Sequence, residues 1–301
     1  MPLHCWSSAR YVIPLPEAHR FPIGKYALLR EAVLERGLVP PDAMHEPQRA
    51  AREMVELVHT SEYVSRFERG AMDEQEQRTL GFPWSEQLVE RAFRAVGGTC
   101  EAASAALGRG LAMNLAGGTH HAFADHGEGF CVFNDVAIAI RMLQREARIT
   151  RAVIVDLDVH QGNGTHAIFA ADPTVHTFSM HGGKNYPFRK VAGTRDIELP
   201  DACTDEVYLM ELERALPDVL HEARADLVVY LAGADPHEGD RLGRLKLTYE
   251  GLKRRDAFVL DACRAIGLPV CLTIAGGYGH DVSTTVNVHV NTVEIASRYA
   301  P

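Results

Sequence analysis

The chain has 301 residues, 46% of them apolar and 24% charged, with 31 basic against 40 acidic side chains and a formal net charge of −9. This composition excludes a disordered or fibrous chain, and the absence of a basic block or stripe argues against nucleic-acid binding. The six cysteines lie far apart without a CxxC pair, no apolar signal core opens the chain and no apolar run reaches 18 residues, so the expectation is a cytoplasmic protein with no disulfide framework and no membrane span.

The N-terminal quarter reads as helical. Apolar residues at helical spacing over 23–36 precede Gly37, a good C′ stop, and 47–58 reads as a second helix with Pro47 in its first turn. The acidic, glutamine-rich run 73–78 reads as a solvated segment. Residues 86–107 form a long alanine-rich helix interrupted at Gly97-Gly98. Beyond residue 110 the pattern alternates. Short apolar runs near 112–116, 152–157, 175–180, 226–232 and 269–275 are separated by helical patterns such as 134–147, 205–223 and 250–266. Strands alternating with helices predict an α/β fold, one domain over 1–301, with a mostly parallel sheet flanked by helices.

Each of these strands runs into a polar loop containing glycine: GGTHHA (117–122), DLDVHQGNG (156–164), SMHGG (179–183), GADPHEGD (233–240) and GGYGHD (276–281). Open parallel sheets bind ligands outside the carboxyl ends of their strands, so the chemistry gathers at one edge. Along an extended strand, Asp156, Asp158 and His160 point to one face. Taken alone, DxDxH reads as a cap for the next helix. With tandem histidines and a glycine-flanked tyrosine nearby, it reads as a site for a divalent ion taking O and N ligands, Zn²⁺ or Fe²⁺. A third carboxylate is available from Asp235 or Asp240. Two Asp and one His leave a coordination position open, as catalysis requires. Cys131 reads as a packed thiol, His181 as a residue that can line the site, His237 and His280 as rim residues, and His176 and His289 as structural.

The set GGTHHAF, GEGFCVFND, DLDVHQGNGT, GADPHEGDRLG and AGGYGHD, together with AHRFPIGKY (18–26), LVHTSEYV (57–64) and GGKNYPFRK (182–190), resembles the zinc-dependent histone deacetylase family, closest to its class IV-like and bacterial branch. The resemblance spans nearly the whole chain. It implies the arginase/deacetylase fold with a central eight-stranded sheet. It implies metal ligands Asp158, His160 and Asp240, a catalytic Tyr278, a catalytic pair His120 and His121, and Asp156 orienting His120. It also implies a structural K⁺ near Asp156 and Ser179, and a substrate channel walled by Gly129 and Phe130 with Phe188 opposite. Asn163 replaces an Asp found in many members. It can hydrogen-bond His121 but supplies no charge, so His121 is expected to have a lower pKa than in Asp-bearing relatives.

The activity implied is hydrolysis of an N-acyl amide, most simply acyl-lysine on a protein, with the two histidines handling protons and Tyr278 donating to the oxyanion. Three other readings stay open. An acetylpolyamine deacetylase would need an acidic rim, for which the acids at 125, 128 and 238 are available. An arginase-like hydrolase would need a second metal, and Gly162 stands where an Asp would complete DxHxD. A catalytically silent acyl-lysine binder would have no use for Tyr278.

Overall fold

The computed structural model describes residues 2–16 and 18–300. All five expected strands form: β3 (Leu111–Asn114), β4 (Ala152–Asp156), β5 (Val175–Gly182), β7 (Leu227–Leu231) and β8 (Val270–Thr273). Three strands without a strong apolar signature join them: β1 (His4–Trp6), β2 (Met44–His45) and β6 (Arg195–Leu199). The result is one eight-stranded sheet in the order β2-β1-β3-β8-β7-β4-β5-β6, every pairing parallel. β4 and β7 read as unbroken apolar runs because both faces are covered. In β4, Val153 and Val155 enter one core cluster while Ala152 and Ile154 enter the other, the period-two alternation of a strand between two layers.

The helices are α1 (Lys25–Glu35), α2 (Arg52–Val55), α3 (Ser61–Glu68), α4 (Glu74–Leu80), α5 (Glu86–Arg109), α6 (Asp135–Arg145), α7 (Asn163–Phe169), α8 (Asp205–Ala223), α9 (Tyr249–Ala265) and α10 (Val282–Tyr299). Residues of α1, α8, α9 and α10 fill the core on one face of the sheet; residues of α3, α5 and α6 fill it on the other.

Two local expectations are corrected. The helix expected over 47–58 shrinks to α2. Before it the chain lies along α5, with the Ala50 N–H donating to the Phe93 carbonyl at 3.2 Å. That contact also explains Gly97. A Cβ there would sit 1.9 Å from the Gln48 carbonyl oxygen, so the glycine permits a close approach and α5 runs through it unbroken. The run 73–78 is mostly exposed, as expected, and helical. Asp73 and Glu76 form a capping box at the start of α4.

Candidate active site

The loops after β3, β4, β7 and β8 converge above the middle of the sheet. Asp158, His160 and Asp235 are buried, and each offers one ligand atom within 4.8 Å of the others. His160 Nδ1 lies 2.9 Å from Asp158 Oδ1 and 3.2 Å from Asp235 Oδ2. Asp240, the third ligand that the resemblance implies, lies outside this group. Its Oδ1 accepts the N–H groups of Leu242 (2.8 Å) and Gly243 (3.0 Å), and its Oδ2 accepts the Tyr278 N–H at 2.6 Å. Asp240 thereby ties the β7 loop to the β8 loop. Asp235 lies nearer the end of β7. Its Oδ1 accepts the Val159 N–H at 2.9 Å, and its buried Oδ2 makes no hydrogen bond among the described residues.

The electrostatics of this trio suit a cation. Burial pushes the Asp235 carboxyl up to about 7, and the neighbouring Asp158 charge adds to the rise. Burial also opposes ionisation of Asp158, but His120 and His160 hold it well below the usual carboxylate range. For His160, burial acts downward and is overcome by the close carboxylates of Asp158 and Asp235, which push it up to about 10. Two carboxylates forced together resist joint ionisation. A divalent ion bound between them would relieve both and displace the His160 proton, and the O, N, O donor set fits Zn²⁺ or Fe²⁺.

The histidine pair sits beside the trio, ring centroids 4.2 Å apart. His120 Nδ1 meets Asp156 Oδ2 at 2.7 Å. Burial acts to lower His120, while the charges of Asp156 and Asp158 raise it to about 9. His121 Nδ1 meets Asn163 Oδ1, also at 2.7 Å. Burial and the neighbouring histidines hold His121 well below its ordinary value, against the hydrogen bond to Asn163, which acts to raise it.

Sequence reasoning missed what fixes Asn163. Its Nδ2 donates to Glu128 Oε1 at 3.0 Å, and the Tyr186 hydroxyl donates to the same oxygen. An ionised carboxylate only accepts. The amide therefore presents its oxygen to His121, Nδ1 of His121 carries the proton, and Nε2 is left as the ring's acceptor. Burial acts to raise Glu128, but the hydrogen bonds from His126, Tyr186 and Asn163 hold it below the usual range.

Tyr278 is buried on the other side of His160, ring centroids 6.4 Å apart, and no described residue hydrogen-bonds its hydroxyl. A cavity of about 80 Å³ runs past Phe130, His120, His121, Asp158, His160 and Tyr278. Lys25, also missed, lies along this cavity fully buried. Its Nζ donates to the Gly277 carbonyl at 3.2 Å and lies 5.4 Å from the centre of the Tyr278 ring. As the first residue of α1 it carried no sequence signal.

Gly129 and Phe130 line the cavity, both with left-handed backbone. A Cβ at Gly129 would come within 2.8 Å of the His121 ring and 3.1 Å of Tyr186, so only glycine fits. The opposite wall is Tyr186, edge-on to His121 at 5.0 Å. Phe188 is 86% exposed, packs against Tyr186 and lines the outer depression together with Phe130. Ser179 is in register with Asp156 on the adjacent strand, and its hydroxyl lies 2.9 Å from His181 Nδ1. That pairing keeps His181 buried on β5, away from the cavity lining.

A family profile described as "Histone deacetylase domain" matches residues 19–293. An uncharacterised protein of Picosynechococcus sp. is 48% identical over 279 residues, covering 93% of both chains. Histone deacetylase 2 of Arabidopsis thaliana is 31% identical over 293 residues, covering 94% of this chain and 75% of its own. Among solved structures, an HDAC homolog from Aquifex aeolicus superposes with a TM-score of 0.86 at 23% identity, covering 99% of this chain and 84% of that one.

Proposed function

The chain belongs to the histone deacetylase family, and on that premise we propose that it hydrolyses the amide of an N-acylated amine, most simply acetyl-lysine, with a divalent metal held by Asp158, His160 and Asp235. The observation that carries this reading is the convergence of a buried Asp–His–Asp trio, a histidine pair of fixed orientation and an unbonded tyrosine hydroxyl at one cavity. A bound Zn²⁺ or Fe²⁺ would polarise the acyl carbonyl and lower the pKa of water at the site.

The remaining chemistry is assigned to this chain's own groups. Phe130 and Tyr186 guide a neutral acyl chain inward and keep bulk water out. His121, neutral and with Nε2 free to accept, takes the proton of the attacking water. The Tyr278 hydroxyl donates to the oxyanion that develops on the carbonyl oxygen, a contribution of about 10²–10³ in rate. His120, favoured as a cation by Asp156, steadies the negative charge gathering nearby. The departing amine leaves poorly without a proton, and protonated His121 supplies it, since Asn163 gives that imidazolium no stabilising charge. Asp156 and Ser179 are the side chains we assign to a structural K⁺, on the ground that they share one register of the sheet.

The test is turnover of a fluorogenic acetyl-lysine by protein of measured metal content. Tyr278→Phe should keep its metal and lose about 10²–10³ in kcat. Loss of metal from that variant, or unchanged kcat, would count against the role given to Tyr278. A silent acyl-lysine binder would bind the substrate and show no turnover when fully loaded.

A further inference from the structure

The mouth of the channel carries a charge opposite to that of the chain. Outside Phe130 and Tyr186 the tube widens into a depression of about 540 Å³ whose walls include Arg20, Arg78, Lys184, Arg241 and Arg244, and no Asp or Glu among the described residues. All five cations are exposed, in a chain whose net charge is −9. None of the acids that kept an acidic rim in view lines this depression: Asp125 is engaged by His126 at 2.7 Å, Glu128 turns inward to Asn163 and Tyr186, and Glu238 lies elsewhere.

The cations are only partly neutralised from outside. Arg78 reaches the exposed Glu74, and Lys184 and Arg244 share Asp201. Against the five cations these pairs set only Glu74 and Asp201, so the rim stays net positive among the described residues. Among the described residues, Arg20 and Arg241 have no carboxylate within ion-pair distance. The Arg241 guanidinium is also held in position. Its Nε donates to the Tyr278 carbonyl at 2.9 Å and its Nη2 to the Arg20 carbonyl at 3.0 Å, leaving Nη1 without a described partner. A cleft with charges of one sign on low-dielectric walls concentrates ligands of the other sign.

We propose that this mouth selects acylated amines bearing negative charge close to the acyl-carrying arm, and disfavours lysine-rich peptides and acylated polyamines. The anion is a carboxylate, either from Asp or Glu flanking an acyl-lysine or from the acylated molecule's own carboxylate. The inference rests on the deacylase reading above and narrows its substrate class.

The experiment compares kcat/KM, at low salt, for three peptides with a central acetyl-lysine flanked by Glu, Ala or Lys. An α-N-blocked ε-acetyl-lysine with a free carboxylate and an acetylated diamine complete the series. Equilibrium binding of the three peptides is measured by fluorescence anisotropy on the same metal-loaded protein. The Glu-flanked peptide should exceed the Lys-flanked one about tenfold or more, and 0.5 M salt should compress the ratio towards one. The combined substitution Arg20→Glu, Arg244→Glu should reverse the order. A better rate for the peptide than for the small carboxylate assigns the anion to a protein; the opposite assigns it to a metabolite. Equal values across the three peptides, or a preference for Lys flanks or the diamine, overturns the inference. Absence of all turnover with tightest binding of the Glu peptide would overturn the deacylase reading and leave the anionic preference standing.

Discussion

Asp235 and Asp240 share one loop and hold opposite kinds of partner. Asp240 has both oxygens on backbone N–H groups, whereas Asp235 keeps one oxygen free beside His160. Asp235→Ala should therefore abolish metal retention on dialysis, by more than the ~10–100-fold typical of losing a group that only supports a ligand. Asp240→Ala should retain metal and lower kcat by about 10–10²-fold, because the Tyr278 N–H loses a charge-assisted hydrogen bond. Metal analysis of the two purified variants decides between the assignments. The Glu128–Asn163–His121 chain makes a second residue-level prediction. Glu128→Gln frees the Asn163 amide to turn over and should reduce kcat. Asn163→Asp alone should also reduce it, since two carboxylates would then stand 3.0 Å apart. The double variant should recover activity, because an Asp facing a Gln can only accept from His121. Additive losses in the four-way comparison of kcat would refute the amide-orientation argument.

At the scale of elements, the site depends on helices that contribute no reacting group. The Thr79 and Leu80 carbonyls at the end of α4 accept the N–H groups of Gly129 and Phe130, at 3.1 and 2.8 Å. A segment that reads as solvent-facing thus fixes the channel wall. On the opposite face α9 supplies Arg255, fully buried. Its Nη1 donates to the Gly233 carbonyl at 2.7 Å and the Leu157 carbonyl at 3.3 Å, and its Nε donates to Asp256. Asp256 in turn accepts from Tyr230 of β7 and Thr292 of α10, each at 2.6 Å. Arg255 therefore braces the backbone of both metal loops from beneath. Arg255→Met strands Asp256 as a buried charge without its cation and should cost about 3–5 kcal/mol in urea unfolding. A loss under 1 kcal/mol would show that the brace is dispensable.

For the whole molecule, the sheet order decides which loops meet. β3, β8, β7 and β4 are consecutive neighbours in space, so the loops carrying His120 and His121, Tyr278, Asp235 and Asp158 open side by side though they are distant in sequence. An ion held by Asp158, His160 and Asp235 would join two loops that separate on unfolding. Because the unfolded chain lacks this trio, Zn²⁺ at about a hundred times its Kd should stabilise the fold by about 2.7 kcal/mol. Thermal melts should show Tm rising by several degrees with metal and falling back with chelator, and Asp235→Ala should be insensitive to both. No helix among the described residues is long and apolar enough to cross a membrane.

How much was legible beforehand depended on range. The strand–helix alternation and the five polar loops could be read because residue spacing and burial on two faces leave a local signature, whereas the Asp and Asn partners of the histidine pair were implied only by the family resemblance. Strands β1, β2 and β6 are too short or too polar to leave one, and α10 is rich in Val and Thr, which weaken a helical reading although packing makes it helical. The sequence by itself determined the fold class and the chemical inventory of the site, because periodicity and residue type are properties of neighbours along the chain. Only the tertiary structure decided that Asp235 lies beside Asp158 and His160, that Tyr186 faces His121 and that five cations share one mouth. Those placements turn on which atoms the backbone has already claimed and which charges from distant loops face one opening, and spacing along the chain encodes neither.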